Sequence, residues 1–152
     1  MAAFGATGLG WLEIVPATDA APASLFRIED GGVVPVPSVT DANVLVAGSR
    51  GLLVTPSDLS RFRFNVGVRT LSNGVTMSIS VYDAIGAQLR TVNRTFPPNY
   101  FAQFAASDLL GAAIGANQSI VFSIDAGSVV VYGSSVANGG GGSTLQIAQP
   151  SR

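Results

Sequence analysis

From Arg61 to Arg69 the chain alternates: Phe62, Phe64, Val66 and Val68 fall on one face of an extended backbone, and Arg61, Arg63, Asn65 and Arg69 on the other. A helix would scatter these side chains around its circumference, whereas a two-residue period segregates them, so the segment reads as a half-buried β-strand. The pattern returns over residues 75–82, where Val75, Met77, Ile79 and Val81 alternate with Thr76, Ser78, Ser80 and Tyr82. Ser72, Asn73 and Gly74 between them carry turn chemistry, and the two runs are predicted to form a hairpin.

Strand-sized runs continue downstream. After a turn at residues 83–86, a third strand is predicted over 87–95, ended by Pro97 and Pro98, which remove backbone donors. Residues 99–104 read as a short strand, and residues 107–111 as one helical turn with Ser107 as N-cap and Gly111 as stop. Strands over 118–125 and 128–136 flank Ala126 and Gly127, and a glycine loop at 139–142 leads to a last strand at 144–148. The first third offers weaker strand candidates at 11–15, 24–29 and 43–47.

No long segment shows a period of 3.6 residues. Many short strands with frequent turns predict an all-β fold, an antiparallel β-sandwich of about seven to ten strands with at most one short helical turn. With 47% hydrophobic and only 11% charged residues the chain lies far from a disordered composition, and 152 residues suit a single domain spanning 1–152. Residues 48–149 carry the regular pattern and are expected to form the core sandwich. Residues 1–40 read as an N-terminal strand extension or the end of a preceding repeat, because segments near Trp11, Phe26 and Val34 echo those near Val121, Val130 and Gln146.

Residues 62–68, the run 75–86 ending in Tyr82, Asp83 and Gly86, and the later run 129–139 ending in Asn138 and Gly139 resemble the immunoglobulin-like repeats of secreted and cell-surface bacterial proteins. The resemblance covers roughly residues 48 to 149. It implies an immunoglobulin-like sandwich in an extracellular or cell-surface setting, serving as a spacer, adhesive or assembly module without catalysis. It carries over no functional residues.

The residue inventory narrows the chemistry. The chain has no His and no Cys, which removes the usual general base, the Ser–His nucleophile pair, imidazole ligands and thiolates. No catalytic, metal or cofactor site is expected, and the chain reads as a non-enzyme. Glu29, Asp30, Asp41, Asp58, Asp83, Asp108 and Asp125 are scattered without the spacing of a calcium loop. All basic residues are Arg, and with a net charge of -1 no cationic field exists to hold nucleic acid. No window is long and apolar enough to predict a membrane-spanning helix, and the first residues do not read as a signal peptide.

Two kinds of partner remain. The absence of Lys leaves strand edges without a common guard, so association with itself or with another protein through sheet edges is expected, with strands 119–124 and 128–132 as the edges. The alternative is a polysaccharide, bound by the Arg61, Arg63 and Arg69 stripe together with Trp11, Tyr82, Tyr100 and Tyr132. Arg61, Arg63, Arg69, Tyr82, Tyr132 and Trp11 are therefore the candidate ligand or assembly face.

Overall fold

The computed structural model describes residues 25–29, 32–36, 39–140 and 142–151. Nine strands lie among them. β1 (Leu25–Glu29) and β2 (Gly32–Val36) form a two-stranded antiparallel sheet. The others, β3 (Leu45–Val46), β4 (Arg50–Val54), β5 (Phe62–Tyr82), β6 (Gln88–Phe96), β7 (Phe101–Ala105), β8 (Ser119–Ala137) and β9 (Ser143–Ile147), form one seven-stranded antiparallel sheet. The expected all-β class is what the structure has.

β5 and β8 organise that sheet. They pair with each other along almost their whole length, and each carries different neighbours on its two halves. The first half of β5 takes β7 on its other side and the second half takes β6. β8 takes β4 along its first half, β3 near its middle and β9 along its second half. The sheet thus has two limbs, one ordered β4, β8, β5, β6 and the other ordered β9, β8, β5, β7.

Between the limbs the ladder steps from Thr70 opposite Val129 to Val75 opposite Gly127. Between those two pairs four residues of β5, Leu71 to Gly74, stand against one of β8, Ser128, and an unequal count bends a sheet. Both limbs then turn alternate residues into one hydrophobic core: Phe64, Val66, Val68, Val129 and Val131 from one, Leu53, Met77, Ile79, Val81, Ile120 and Phe122 from the other. Burying each such side chain contributes roughly 1.5–3 kcal/mol, so the alternation seen in sequence is the main determinant of this fold.

Several expectations are corrected. Residues 61–69 and 75–82 are not two arms of a hairpin but successive halves of β5, and the two strands predicted around Ala126 and Gly127 are successive halves of β8. Gly74 and Gly127 bend these strands rather than reversing them. The helical turn exists as α1 (Ala106–Leu110), closed by Gly111 in the left-handed conformation, but its N-cap is Ala105, and Ser107 lies within it. A 3-10 turn over Asp41–Asn43 adds a second short helical piece and shortens the strand expected at 43–47 to β3.

β2 and β4 escaped prediction. β2 contains Pro35, and β4 presents Gly51 at a buried position, where hydrophobic periodicity has nothing to detect. The candidate strand at 11–15 lies outside the described residues. The segments 119–124 and 128–132 are not edges: both belong to β8, which is paired on both sides.

Candidate interaction faces and edges

The predicted site residues divide between the limbs. Arg63 and Arg69 lie on the face of β5 turned away from the core, and Tyr132 shares that face because it stands opposite Gly67. Its ring lies across Gly67, where a Cβ would overlap it, and its hydroxyl donates to Gln103 Oε1 at 3.0 Å. Phe101 stacks beside it at 6.5 Å between centroids. Burial pushes the Tyr132 phenol above its ordinary value of 10.0. The Arg69 guanidinium donates to the carbonyl of Thr70 at 2.7 Å.

Arg61 precedes β5, its guanidinium 5.6 Å from the centre of the Phe62 ring. Just before it, the Asp58 carboxylate accepts from the Ser60 hydroxyl at 2.6 Å and from the backbone N–H of Ser60 and Arg61. Those bonds, the Ser60 hydroxyl foremost, hold the Asp58 carboxyl below 3.8 against a smaller opposing effect of burial.

Tyr82 is at the far end of β5, on the outer face of the other limb, where its hydroxyl donates to Gln88 Oε1 at 3.1 Å. Tyr100 packs against the core, stacked on Phe96 with centroids 5.3 Å apart. Trp11 lies outside the described residues. The structure therefore gathers Arg63, Arg69 and Tyr132 on one face and places Tyr82 on another.

The outer face around Tyr82 is rich in hydroxyls. Thr76 and Thr95 hydroxyls are 3.3 Å apart across β5 and β6, and Ser80 and Thr91 hydroxyls are 2.8 Å apart. Such cross-strand pairs fix register while leaving the surface polar.

The limb's two outer strands differ sharply at their edges. β6 pairs with β5 alone among the described strands. Ladder alternation fixes which of its groups face outward: Gln118, just before β8, and Ile124 of β8 bond to the residues flanking β4, which turns Ser78 and Ser80 of β5 toward β8 and Met77 and Ile79 toward β6. The backbone groups of Val92 and Arg94 therefore face β5, and those of Thr91, Asn93 and Thr95 face away. Arg94 donates through Nε and Nη2 to the carbonyl of Leu109, at 2.9 and 2.5 Å, and Arg90 donates to that of Ala113 at 2.6 Å. These two side chains tie β6 to the end of α1 and the loop after it.

β4 is clasped instead. The Gln146 side-chain amide donates to the Val54 carbonyl at 2.8 Å and accepts from the Val54 N–H at 3.0 Å. Ser151 does the same through its backbone, donating to the Arg50 carbonyl at 2.7 Å and accepting from the Arg50 N–H at 2.9 Å. Asn43 adds a bond to Gln149 Oε1 at 3.1 Å. Sequence reasoning missed both edges. Polar residues on alternate faces of residues 88–96 do mark an edge strand, but nothing in sequence marks Gln146.

Among the described residues no three His, Cys, Asp or Glu gather as metal ligands, and no helix is long and apolar enough to cross a membrane. Comparison with protein-family models, curated proteins and solved structures finds no match.

Proposed function

We propose that this chain is a non-catalytic structural or interaction module of a secreted or surface bacterial protein, an immunoglobulin-like sandwich that associates through a sheet edge. The observation that carries the reading is the outer edge of β6, a nine-residue strand without Lys or Pro that no other described strand covers. An unpaired ladder is a template for another strand, and Lys and Pro are among the residues that discourage such addition. The two limbs sharing one core support the sandwich, the resemblance of residues 48–149 supports the extracellular setting, and the lack of His and Cys supports a role without catalysis.

Light scattering over a concentration series tests it. The wild-type chain is expected to self-associate, and Asn93→Pro, which removes an outward donor that an edge strand can lose without harm, is expected to remain monomeric. A wild-type chain that is monomeric at every concentration overturns the reading.

A second reading, polysaccharide binding, is favoured by Tyr132, whose ring lies across Gly67 on the same face of the sheet as Arg63 and Arg69. An aromatic ring sharing a sheet face with arginines suits a sugar with acidic substituents. Retardation of the chain in gels containing an anionic polysaccharide, lost in Tyr132→Ala, is the outcome expected for it.

A further inference from the structure

We propose that the outer edge of β4 is a second docking edge, that its occupant is β6 of another copy of this chain, and that Gln146 keeps it closed. The inference rests on the edge association proposed above and adds which edges meet.

The closure is chemical mimicry. A primary amide offers the same donor and acceptor as a peptide group, and Gln146 uses them on both outward groups of Val54, as a neighbouring strand would. Ser151 occupies Arg50 in the same manner. The backbone groups of Leu52 point the same way, between the two clasps, by the alternation of the ladder. The β4 edge therefore has the geometry of a pairing surface with its two ends occupied by the chain's own C-terminal segment.

The partner follows from topology. β4 and β6 are the two outer strands of one limb, and every neighbouring pair in that limb is antiparallel. Across three antiparallel steps β4 and β6 run in opposite directions. A second copy displaced along the sheet, without rotation, would set its β6 antiparallel to β4 and continue the ladder. The side chains agree: Leu52 and Val54 of β4 are 50% and 41% exposed, and Leu89 at the bulge of β6 is 48% exposed, so each strand carries apolar surface that such pairing would cover. A contact between two different edges does not close on itself and propagates from copy to copy. With β4 closed by Gln146, growth stops at whatever β6 alone supports.

The test uses the full chain, with Gln146→Met keeping side-chain length while removing both amide bonds. Mass is followed by light scattering over a concentration series, and opening of the edge by hydrogen exchange at the Val54 amide. Wild type is expected to keep a limiting mass no greater than a dimer with Val54 protected. Gln146→Met is expected to expose Val54 and to grow past a dimer as concentration rises, and Gln146→Met combined with Asn93→Pro is expected to lose that growth. The inference is overturned if Gln146→Met exchanges Val54 freely yet keeps the wild-type mass, if Val54 stays protected, if growth survives Asn93→Pro, or if wild type itself grows without limit. A monomeric wild type overturns the β6 self-association above, and the behaviour of Gln146→Met then decides this inference by itself. Should Gln146→Met fail to fold by circular dichroism, Gln146→Glu keeps the acceptor and replaces the donor with a repelling oxygen, and the same outcomes apply.

Discussion

Gly127 lies directly against the backbone of Gly74, so that a Cβ on Gly127 would overlap the Gly74 carbonyl oxygen. Gly127 has φ +82 and Gly74 has φ +64, both in the left-handed region. These are the points where β8 and β5 bend between limbs, and the two bends are stacked. Any side chain on Gly127 meets backbone, which cannot rotate away. Gly127→Ala is expected to destabilise the fold by about 3 kcal/mol or more, combining conformational strain with overpacking. Gly86 has a similar φ of +85 with open space around it, so Gly86→Ala should cost only about 1 kcal/mol. Urea denaturation of the two variants separates the effects, and equal losses would mean the close approach is unimportant.

Thr70 secures the other side of the same bend. It is fully buried, its hydroxyl donates to the Pro97 carbonyl at 2.6 Å and accepts from the Tyr100 N–H at 2.8 Å, and its own N–H donates to the Tyr100 carbonyl at 2.9 Å. The crossing from β6 to β7 is thereby pinned to β5. Thr70→Val preserves shape but strands a carbonyl and an amide, with an expected loss of about 3 kcal/mol. Thr70→Ser keeps the hydroxyl and removes one methyl, for about 1 kcal/mol. A Val variant as stable as wild type in urea would show that the hydroxyl is dispensable.

The bend also explains what was readable. Alternation at Phe64, Val66 and Val68 and again at Met77, Ile79 and Val81 marks the core faces, because burial on one side of a strand leaves a two-residue signature, while Phe62 at the start of β5 is half-buried and outside the core. The same alternation cannot say whether a glycine between two runs reverses the chain or bends it. That depends on which strands lie alongside, here β8 throughout, and partners are remote in sequence. The edges were hidden for a related reason: Gln146 acts on Val54 from 92 positions away, through a side chain whose identity is ordinary for a surface strand. Arg63, Arg69 and Tyr132 share a face only because β5 and β8 pair with Gly67 opposite Tyr132.

That last pairing makes a prediction about titration. Burial raises the Tyr132 phenol above 10.0, so the folded chain holds this proton more tightly than the unfolded chain. Its contribution to stability is fully present below pH 10.0 and is lost as pH rises through the folded value. Gly67→Ala would force the ring off the sheet, returning the phenol toward 10.0 and, through overpacking, costing about 1–3 kcal/mol. Ultraviolet titration at alkaline pH, with Tyr132→Phe to assign the signal, checks the shift. An unchanged Tyr132 midpoint in Gly67→Ala would mean the ring is not held by that contact.

Asp58 gives the opposite sign at acid pH. The Ser60 hydroxyl, then the backbone N–H groups of Ser60 and Arg61 and the Arg61 charge, favour its ionised form and outweigh burial. A lowered carboxyl binds its proton less tightly when folded, so its contribution is present above 3.8 and disappears as pH falls through the folded value. The turn it closes also holds the start of β5, since the Phe62 N–H donates to the Asp58 carbonyl at 3.1 Å and Asn138 binds the Arg61 and Ser60 carbonyls. Ser60→Ala removes the strongest of the favourable contacts, and the Asp58 carboxyl should move up toward 3.8. Carbon-detected NMR titration of the side-chain carboxyl reads that shift directly. If Asp58 titrates identically in both chains, the hydroxyl bond does not set its acidity, and the backbone donors must be carrying the effect alone.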